Sequence, residues 1–315
     1  MDDWLSVRVD AVSPLAQGIA QFDLRPVQGG ELPSYAPGAH IDIELPGKIC
    51  RSYSLLGGRG ATERYQIAVL REPASRGGSA WLHDEARPGT LLRVARPRNH
   101  FALDEGEHGN VLIAGGIGVT PLWAMAQRLD ELGRDWQMHY RARRRSGAAL
   151  LQGMARHVEA GRIALSFADE DSPRPDLHAI VRSASPGTHF YCCGPTAMID
   201  AFQQACAGVP AQRVHLERFS ADTEPAPGGF AVRLARSGRS LVVPPGSSIL
   251  DVLRQAGIDV PAACEQGICG ACETTVLQGI PDHRDLVLSP AERAANRSLM
   301  ICCSGAASPE LLLDL

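Results

Sequence analysis

Three cysteines crowd near the end of the chain as Cys264-x4-Cys269-x2-Cys272, and Cys302 follows after twenty-nine further residues. Three thiolates on one tight loop plus a fourth from a distant segment is the ligand arrangement of a plant-type 2Fe-2S cluster, in which each iron takes two thiolates. Gly267, Gly270 and Ala271 are small, so the loop can wrap a cluster with backbone N–H groups turned toward its sulfides. A structural zinc site is the competing chemistry, but zinc ligand pairs usually come as C-x2-C twice over, and no second pair occurs here. Cys302 and Cys303 compete for the fourth position. If the stretch SLMICCSG is extended, their side chains point to opposite faces and only one of them is a ligand.

Other residues suit a flavin and a nucleotide. RSYS, Arg51 to Ser54, follows an alternating stretch, and RGGS, Arg76 to Ser79, comes soon after. An isoalloxazine wants an apolar stacking face, hydrogen bonds at its N5 edge, and a cation with backbone amides at its phosphate; the bland alternative is a solvated Arg51 and an ordinary turn at Gly77 and Gly78. In GGIGVTP, Gly115, Gly116 and Gly118 lie between an apolar run and a helical pattern, where bare backbone lets a pyrophosphate approach. Pro121 at the sixth position from Gly116 separates this from an ordinary G-x-G-x-x-G fingerprint. In YCCGP, Cys193 would sit beside a nicotinamide as a soft neighbour, or be a buried cysteine in a strand-to-helix turn. One of Arg141, Arg143, Arg144 and Arg145 would grip a ribose 2′-phosphate and make the cofactor NADPH, or the four form a solvated loop or pair with acids.

The elements that must position these groups change character along the chain. The first hundred residues read as short strands between turns: Val7, Val9 and Ala11 alternate with polar residues, as do Ile41, Ile43 and Leu45, and Tyr65 to Leu70 is a further apolar run. After Phe101 strands alternate with helices, as a parallel sheet requires: Val111 to Ala114, a helix over Leu122 to Leu132 capped by Thr120 with Pro121 in its first turn, a strand over Trp136 to Ala142, a helix near Leu150 to Ala160, and a strand over His189 to Cys193. Asp222 to Gly229, rich in Pro and Gly, reads as a linker. Beyond it come a hairpin from Phe230 to Val243 and a short capped helix in SSILDVLRQAG. The expected domains are therefore 1–104, 105–222 and 229–315.

At 315 residues, 44% hydrophobic and 21% charged, the chain is long enough for two or three globular domains and too apolar for disorder. A net charge of −4, with both signs interspersed, leaves no polyanion-binding footprint, so no nucleic acid partner is expected. No apolar run reaches membrane-spanning length, and the N-terminus opens with two acids where a signal peptide would be basic, so no membrane association and a cytoplasmic location are expected. In a reducing compartment nine cysteines read as ligands or core residues rather than disulfides.

Taken in order, RSYS, GGIGVTP, YCCGP and CEQGICGAC with a late cysteine resemble the phthalate dioxygenase reductase family, which includes the vanillate O-demethylase reductases; the resemblance covers essentially the whole chain. It implies a multidomain fold: an N-terminal antiparallel β-barrel for the flavin, an α/β parallel-sheet nicotinamide domain and a C-terminal α+β ferredoxin-like (β-grasp) domain. A cluster-last order implies FMN. By the same resemblance Arg51 meets the FMN phosphate, Tyr53 packs on the ring system, Ser54 approaches N5, and Arg76, Gly77, Gly78 and Ser79 cradle the phosphate. Gly115, Gly116, Gly118 and Thr120 would hold the dinucleotide, Cys193, Gly194 and Pro195 would flank the nicotinamide, and Phe219 would lie near the flavin edge. Cys302 would be the fourth cluster ligand. The implied reaction takes hydride from NADH onto FMN and passes single electrons through the 2Fe-2S cluster to a Rieske-type terminal oxygenase acting on aromatic or related compounds. It needs no acid, base or nucleophile from the protein, and a monomer is expected. The alternatives are a non-catalytic redox sensor and a stand-alone flavin reductase; the first predicts no turnover and the second no need for a one-electron outlet. In the last domain, from Gly228 on, seven Arg face nine acidic residues, a balance suited to docking on a basic patch.

Overall fold

The computed structural model describes residues 4–57, 62–73, 75, 77–219 and 226–315. Arg76 and the first part of the expected linker, 222–225, lie outside the described residues. The chain forms two compact units, one running to Phe219 and the other from there to Leu315.

The first unit begins with β1 (Trp4–Ala16), β2 (Ile19–Pro26), β3 (His40–Leu45), β4 (Ile49–Ser54), β5 (Tyr65–Leu70), a short helix α1 (Gly78–Asp84) and β6 (Leu91–Ala95). They make a six-stranded sheet in the order β4-β3-β6-β1-β2-β5, antiparallel throughout. A bridge between Leu55 and Ile67, and a 2.8 Å hydrogen bond from the Leu56 N–H to the Gln66 carbonyl, tie the chain just past edge strand β4 to the other edge strand β5. The sheet is thus curled in the manner of a barrel. Strand alternation puts Val7, Val9, Phe22, Leu24, Ile41, Ile43, Ile67 and Val94 inside the curl, each at most 1% exposed. A bulge between Val9 and Ala11 breaks the alternation of β1.

The same unit continues with β7 (Asn110–Gly115), α2 (Val119–Glu131), β8 (Trp136–Ala142), α3 (Leu151–Glu159), β9 (Ile163–Phe167), α4 (Leu177–Ser183), β10 (His189–Cys193), α5 (Thr196–Ala205) and β11 (Val214–Glu217). The strands form a parallel sheet in the order β11-β10-β7-β8-β9. The order reverses between β7 and β10, and ligands of such sheets bind in the crevice at the carboxyl ends flanking that switch. Helix α2 starts at Val119, a turn earlier than expected, so Thr120 is inside the helix and does not cap it; its hydroxyl donates to the Ile117 carbonyl at 3.0 Å. Ile19, Leu56, Ala68 and Phe101 share one apolar cluster with Leu122 and Met125 of α2, so the two sheets of this unit are packed on a common core.

The second unit contains β12 (Phe230–Leu234), β13 (Ser240–Val243), α6 (Ile249–Gln255), β14 (Glu273–Gln278), β15 (Pro281–Asp282), α7 (Pro290–Ala295), β16 (Ser298–Met300), β17 (Gly305–Ala306) and β18 (Glu310–Leu313). Five strands make a mixed sheet, β13-β12-β18-β14-β16, in which β12 and β18 run parallel and α6 packs its buried Ile249, Leu250 and Leu253 into the core. Ser248 and Asp251 form a reciprocal capping box on α6, and Ser289 with Glu292 does the same on α7. No helix of the described residues is long and apolar enough to cross a membrane.

Candidate cofactor sites

The cysteine loop runs between α6 and β14, and Cys264, Cys269, Cys272 and Cys302 are each 5–7% exposed. Their thiols meet in two pairs. The Cys269 sulfur faces Cys264, and hydrogen bonds from that thiol first, then from the Gln266 and Ile268 backbone, hold the Cys264 thiol below its ordinary range. Cys302 is lowered in the same way, first by Cys272 and next by Cys303, while Cys272 is raised. Two pairs of close, buried sulfurs with N–H groups aimed at them match what two iron atoms need. Gly267 has φ +68°, and a Cβ there would stand 2.5 Å from the Cys303 sulfur, so the loop can close only without one. Residues 301–303 form a turn rather than extended chain, with the Cys303 N–H donating to the Met300 carbonyl at 3.2 Å. The opposite-faces condition therefore does not apply, and both sulfurs of the pair touch.

In the antiparallel sheet, the Arg51 stem crosses the start of α1: a Cβ on Gly78 would lie 2.5 Å from the Arg51 Cγ, and one on Gly77, at φ +93°, 2.9 Å from the Ile49 side chain. The glycine pair is thus what lets β4 and α1 come together beside a guanidinium. Tyr53 is half-buried against the sheet core, and burial holds its phenol above the ordinary range. The Ser54 Oγ is buried with no hydrogen-bond partner among the described residues. An orphaned hydroxyl costs free energy unless a ligand satisfies it, so it suits a polar ring edge. Ser79 differs from expectation, since its hydroxyl is occupied within its own loop by the Glu72 N–H and the Ser75 Oγ, both at 3.1 Å.

At the switch point the two remaining motifs face each other. A Cβ on Gly118 would stand 2.3 Å from the Cys193 carbonyl oxygen, and one on Gly115 2.6 Å from the Pro195 ring, while Gly194 abuts the Gly115 backbone. These three glycines serve the contact between the loops. Gly116, at φ +54° with nothing within 4 Å of its would-be Cβ, is the position open to a ligand. Thr120 is only 2% exposed, with its hydroxyl turned back to the chain. Cys193 is fully buried, and its thiol lies 4.0 Å from Glu217 at the end of β11, directly across in register. Desolvation raises the carboxyl of the half-buried Glu217, to about 8. Glu217 carries no signal of its own in the sequence; the β10–β11 pairing brings it there. Two residues on, Phe219 is 40% exposed.

Arg141 is spent on the Ser166 hydroxyl and the Ser172 carbonyl, and Arg145 on Glu170 and the Phe167 ring. Arg143 and Arg144 are exposed, and their side chains make no hydrogen bond or ion pair among the described residues.

Comparison with known proteins agrees with this architecture. Residues 232–307 match the model of the 2Fe-2S iron-sulfur cluster binding domain. Phenoxybenzoate dioxygenase subunit beta of Ectopseudomonas oleovorans is 55% identical, covering 99% of this chain and 97% of that protein. Phthalate dioxygenase reductase of Burkholderia cepacia is 36% identical over 100% of this chain and 98% of its own, and a solved structure described as a phthalate dioxygenase reductase superposes with a TM-score of 0.75. An intact type IV self-sufficient cytochrome P450 monooxygenase superposes with a TM-score of 0.89 at 40% identity, with the chain covering 41% of it.

Curled sheet, switch-point crevice and thiol-paired loop together define an oxidoreductase that moves electrons from a pyridine nucleotide through a flavin to a 2Fe-2S centre. The chain belongs to the phthalate dioxygenase reductase family.

Proposed function

We propose that this chain is the cytoplasmic, monomeric reductase of a two-component oxygenase, taking electrons from NADH and passing them, through FMN and a 2Fe-2S cluster, to a Rieske-type terminal oxygenase. FMN supplies the conversion from a two-electron donor to one-electron steps. The protein's own groups do the positioning. Arg51 with the bare backbone of Gly77 and Gly78 would hold the phosphate, Tyr53 the ring face and the free Ser54 hydroxyl the ring edge. Gly116 would admit the dinucleotide, and Cys193, Gly194 and Pro195, with Glu217 behind them, would bound the nicotinamide. Cys264, Cys269, Cys272 and Cys302 would ligate the cluster, with Phe219 near the flavin. The observation that carries the reading is the two-by-two meeting of the four thiols, an outlet for single electrons that a stand-alone flavin reductase does not need. Full-length relatives named as oxygenase or demethylase reductases support the choice of acceptor. With Arg141 and Arg145 spent, Arg143 and Arg144 are the two left for a 2′-phosphate, and the choice of NADH rests on the family resemblance.

Anaerobic absorbance titration of the purified protein with NADH, then NADPH, followed by flavin extraction, tests this. Bleaching of both a flavin and a broader iron–sulfur band by NADH, with FMN in the extract, is expected. A flavin that bleaches in fresh anaerobic protein lacking any iron–sulfur signal would sink it.

A further inference from the structure

At the opposite edge of the parallel sheet, where β7 and β10 begin, three histidines and an aspartate gather on residues that the electron path does not use. Asp104 and His108 lie on the connection between β6 and β7, and His189 is the first residue of β10, in register with Asn110 of β7. One ligand-type atom from each of Asp104, His108 and His189 lies within 4.8 Å of the other two. The Asp104 Oδ1 stands 2.9 Å from His108 Nε2 and also accepts the Gly106 N–H at 2.9 Å.

The outer partners are those of a metal site. His108 Nδ1 faces the Gly109 carbonyl at 3.3 Å. A carbonyl only accepts, so this contact suits a hydrogen on Nδ1 and leaves Nε2 as the nitrogen that faces Asp104. His189 Nδ1 lies 3.1 Å from His215 Nε2, which leaves its Nε2 for a ligand. His215 is itself stacked on Tyr191 at 4.3 Å, and the Tyr191 hydroxyl accepts the Asp104 N–H at 2.9 Å. Metal-bound histidines regularly direct their second nitrogen to such a partner, which fixes ring and tautomer. Access exists, since the Asp104 side chain is 50% exposed.

We propose that Asp104, His108 and His189 bind one divalent transition cation of borderline hardness, with Zn2+ as the type ion, and that this ion pins the connection between the two sheets onto the parallel sheet. Two imidazoles and a carboxylate suit such a cation and leave a position for water. The His108 and His189 rings are stacked 3.8 Å apart and inclined by 9°, so both lone pairs converge on one ion only when that pair opens. Binding should therefore be seen in the geometry of the site as well as in its affinity.

The test uses the full-length, oxidised protein with flavin and cluster in place, first treated with a chelator. Zn2+ is titrated by calorimetry and thermal unfolding, and Cu2+ serves as a paramagnetic probe while the oxidised cluster is diamagnetic. One equivalent bound with raised thermal stability, and coupling to two imidazole nitrogens, is expected. His108→Ala and Asp104→Asn should weaken binding at least about tenfold, and His215→Phe, which removes only an outer partner, by about 10–100-fold. His108→Ala should retain one nitrogen coupling and unchanged flavin reduction by NADH, showing an intact fold. Absence of a bound equivalent in the wild-type protein overturns the proposal, as does an equivalent that survives unchanged in the Asp104→Asn/His108→Ala double variant.

Discussion

A buried hydroxyl without a partner among the described residues, such as that of Ser54, is an asset only to a bound ligand. Ser54→Ala should leave thermal stability unchanged or slightly raised, because no protein hydrogen bond is lost, yet slow flavin reduction by NADH roughly tenfold, the worth of one hydrogen bond of about 1.4 kcal/mol. Stopped-flow reduction beside a melting curve checks this; equal rates would remove Ser54 from the flavin site. The neighbouring thiols make a sharper comparison. Both sulfurs lie in the same turn, but it is Cys302 that pairs with Cys272, while Cys303 also leans toward Met300 and Ser304. Cys303→Ser should keep the iron–sulfur absorbance and Cys302→Ser should lose or shift it; the reverse pattern would make Cys303 the ligand.

Among the elements, those set by local pattern were legible in the sequence. Tyr65 to Leu70, Trp136 to Ala142 and His189 to Cys193 appear as strands at their expected limits, and the helix within SSILDVLRQAG is capped as expected, by Ser248. What escaped reading depends on partners far along the chain. Glu217 faces Cys193 only through strand pairing, and His108 reaches His189 only after the sheet is assembled. Helix α1 was hidden because Gly77 and Gly78 read as a turn, and Thr120 was misplaced because the glycine turn tightens directly into α2. The glycines of that turn also divide by role. Gly118→Ala would drive a methyl into the Cys193 carbonyl, which should cost about 2–3 kcal/mol and damage kcat and KM together. Gly116→Ala meets open space at φ +54°, so it should cost about 1 kcal/mol and act mainly by raising the KM for NADH. Denaturant melts with steady-state kinetics separate the two.

At the scale of the whole molecule, the order of modules was readable because composition changes with each, from strand alternation to strand–helix repeats to a cysteine loop beyond a Pro- and Gly-rich stretch. That the first two modules form one unit was not, since their union rests on apolar contacts such as Phe101 with α2. The stability of this unit should carry the signature of Glu217, whose carboxyl is raised by burial from 4.5 to about 8. The folded state then holds this proton more tightly than the unfolded one, so its contribution is full below the unfolded value and is lost as pH rises toward 8. Glu217→Gln, which mimics the protonated form, should flatten the curve: its melting temperature relative to wild type should climb between about pH 5 and about pH 9. A constant difference would place the carboxyl in water. The joint between Gly118 and the Cys193 carbonyl has a different kind of consequence, one of inheritance. The atoms that face Gly118 are main chain, so no substitution at Cys193 or Gly194 makes room for a side chain there. Across descendants of this sequence Gly118 should stay fixed, while Gly133 and Gly161, which border open space, are free of that bond and need answer only to the turns they make.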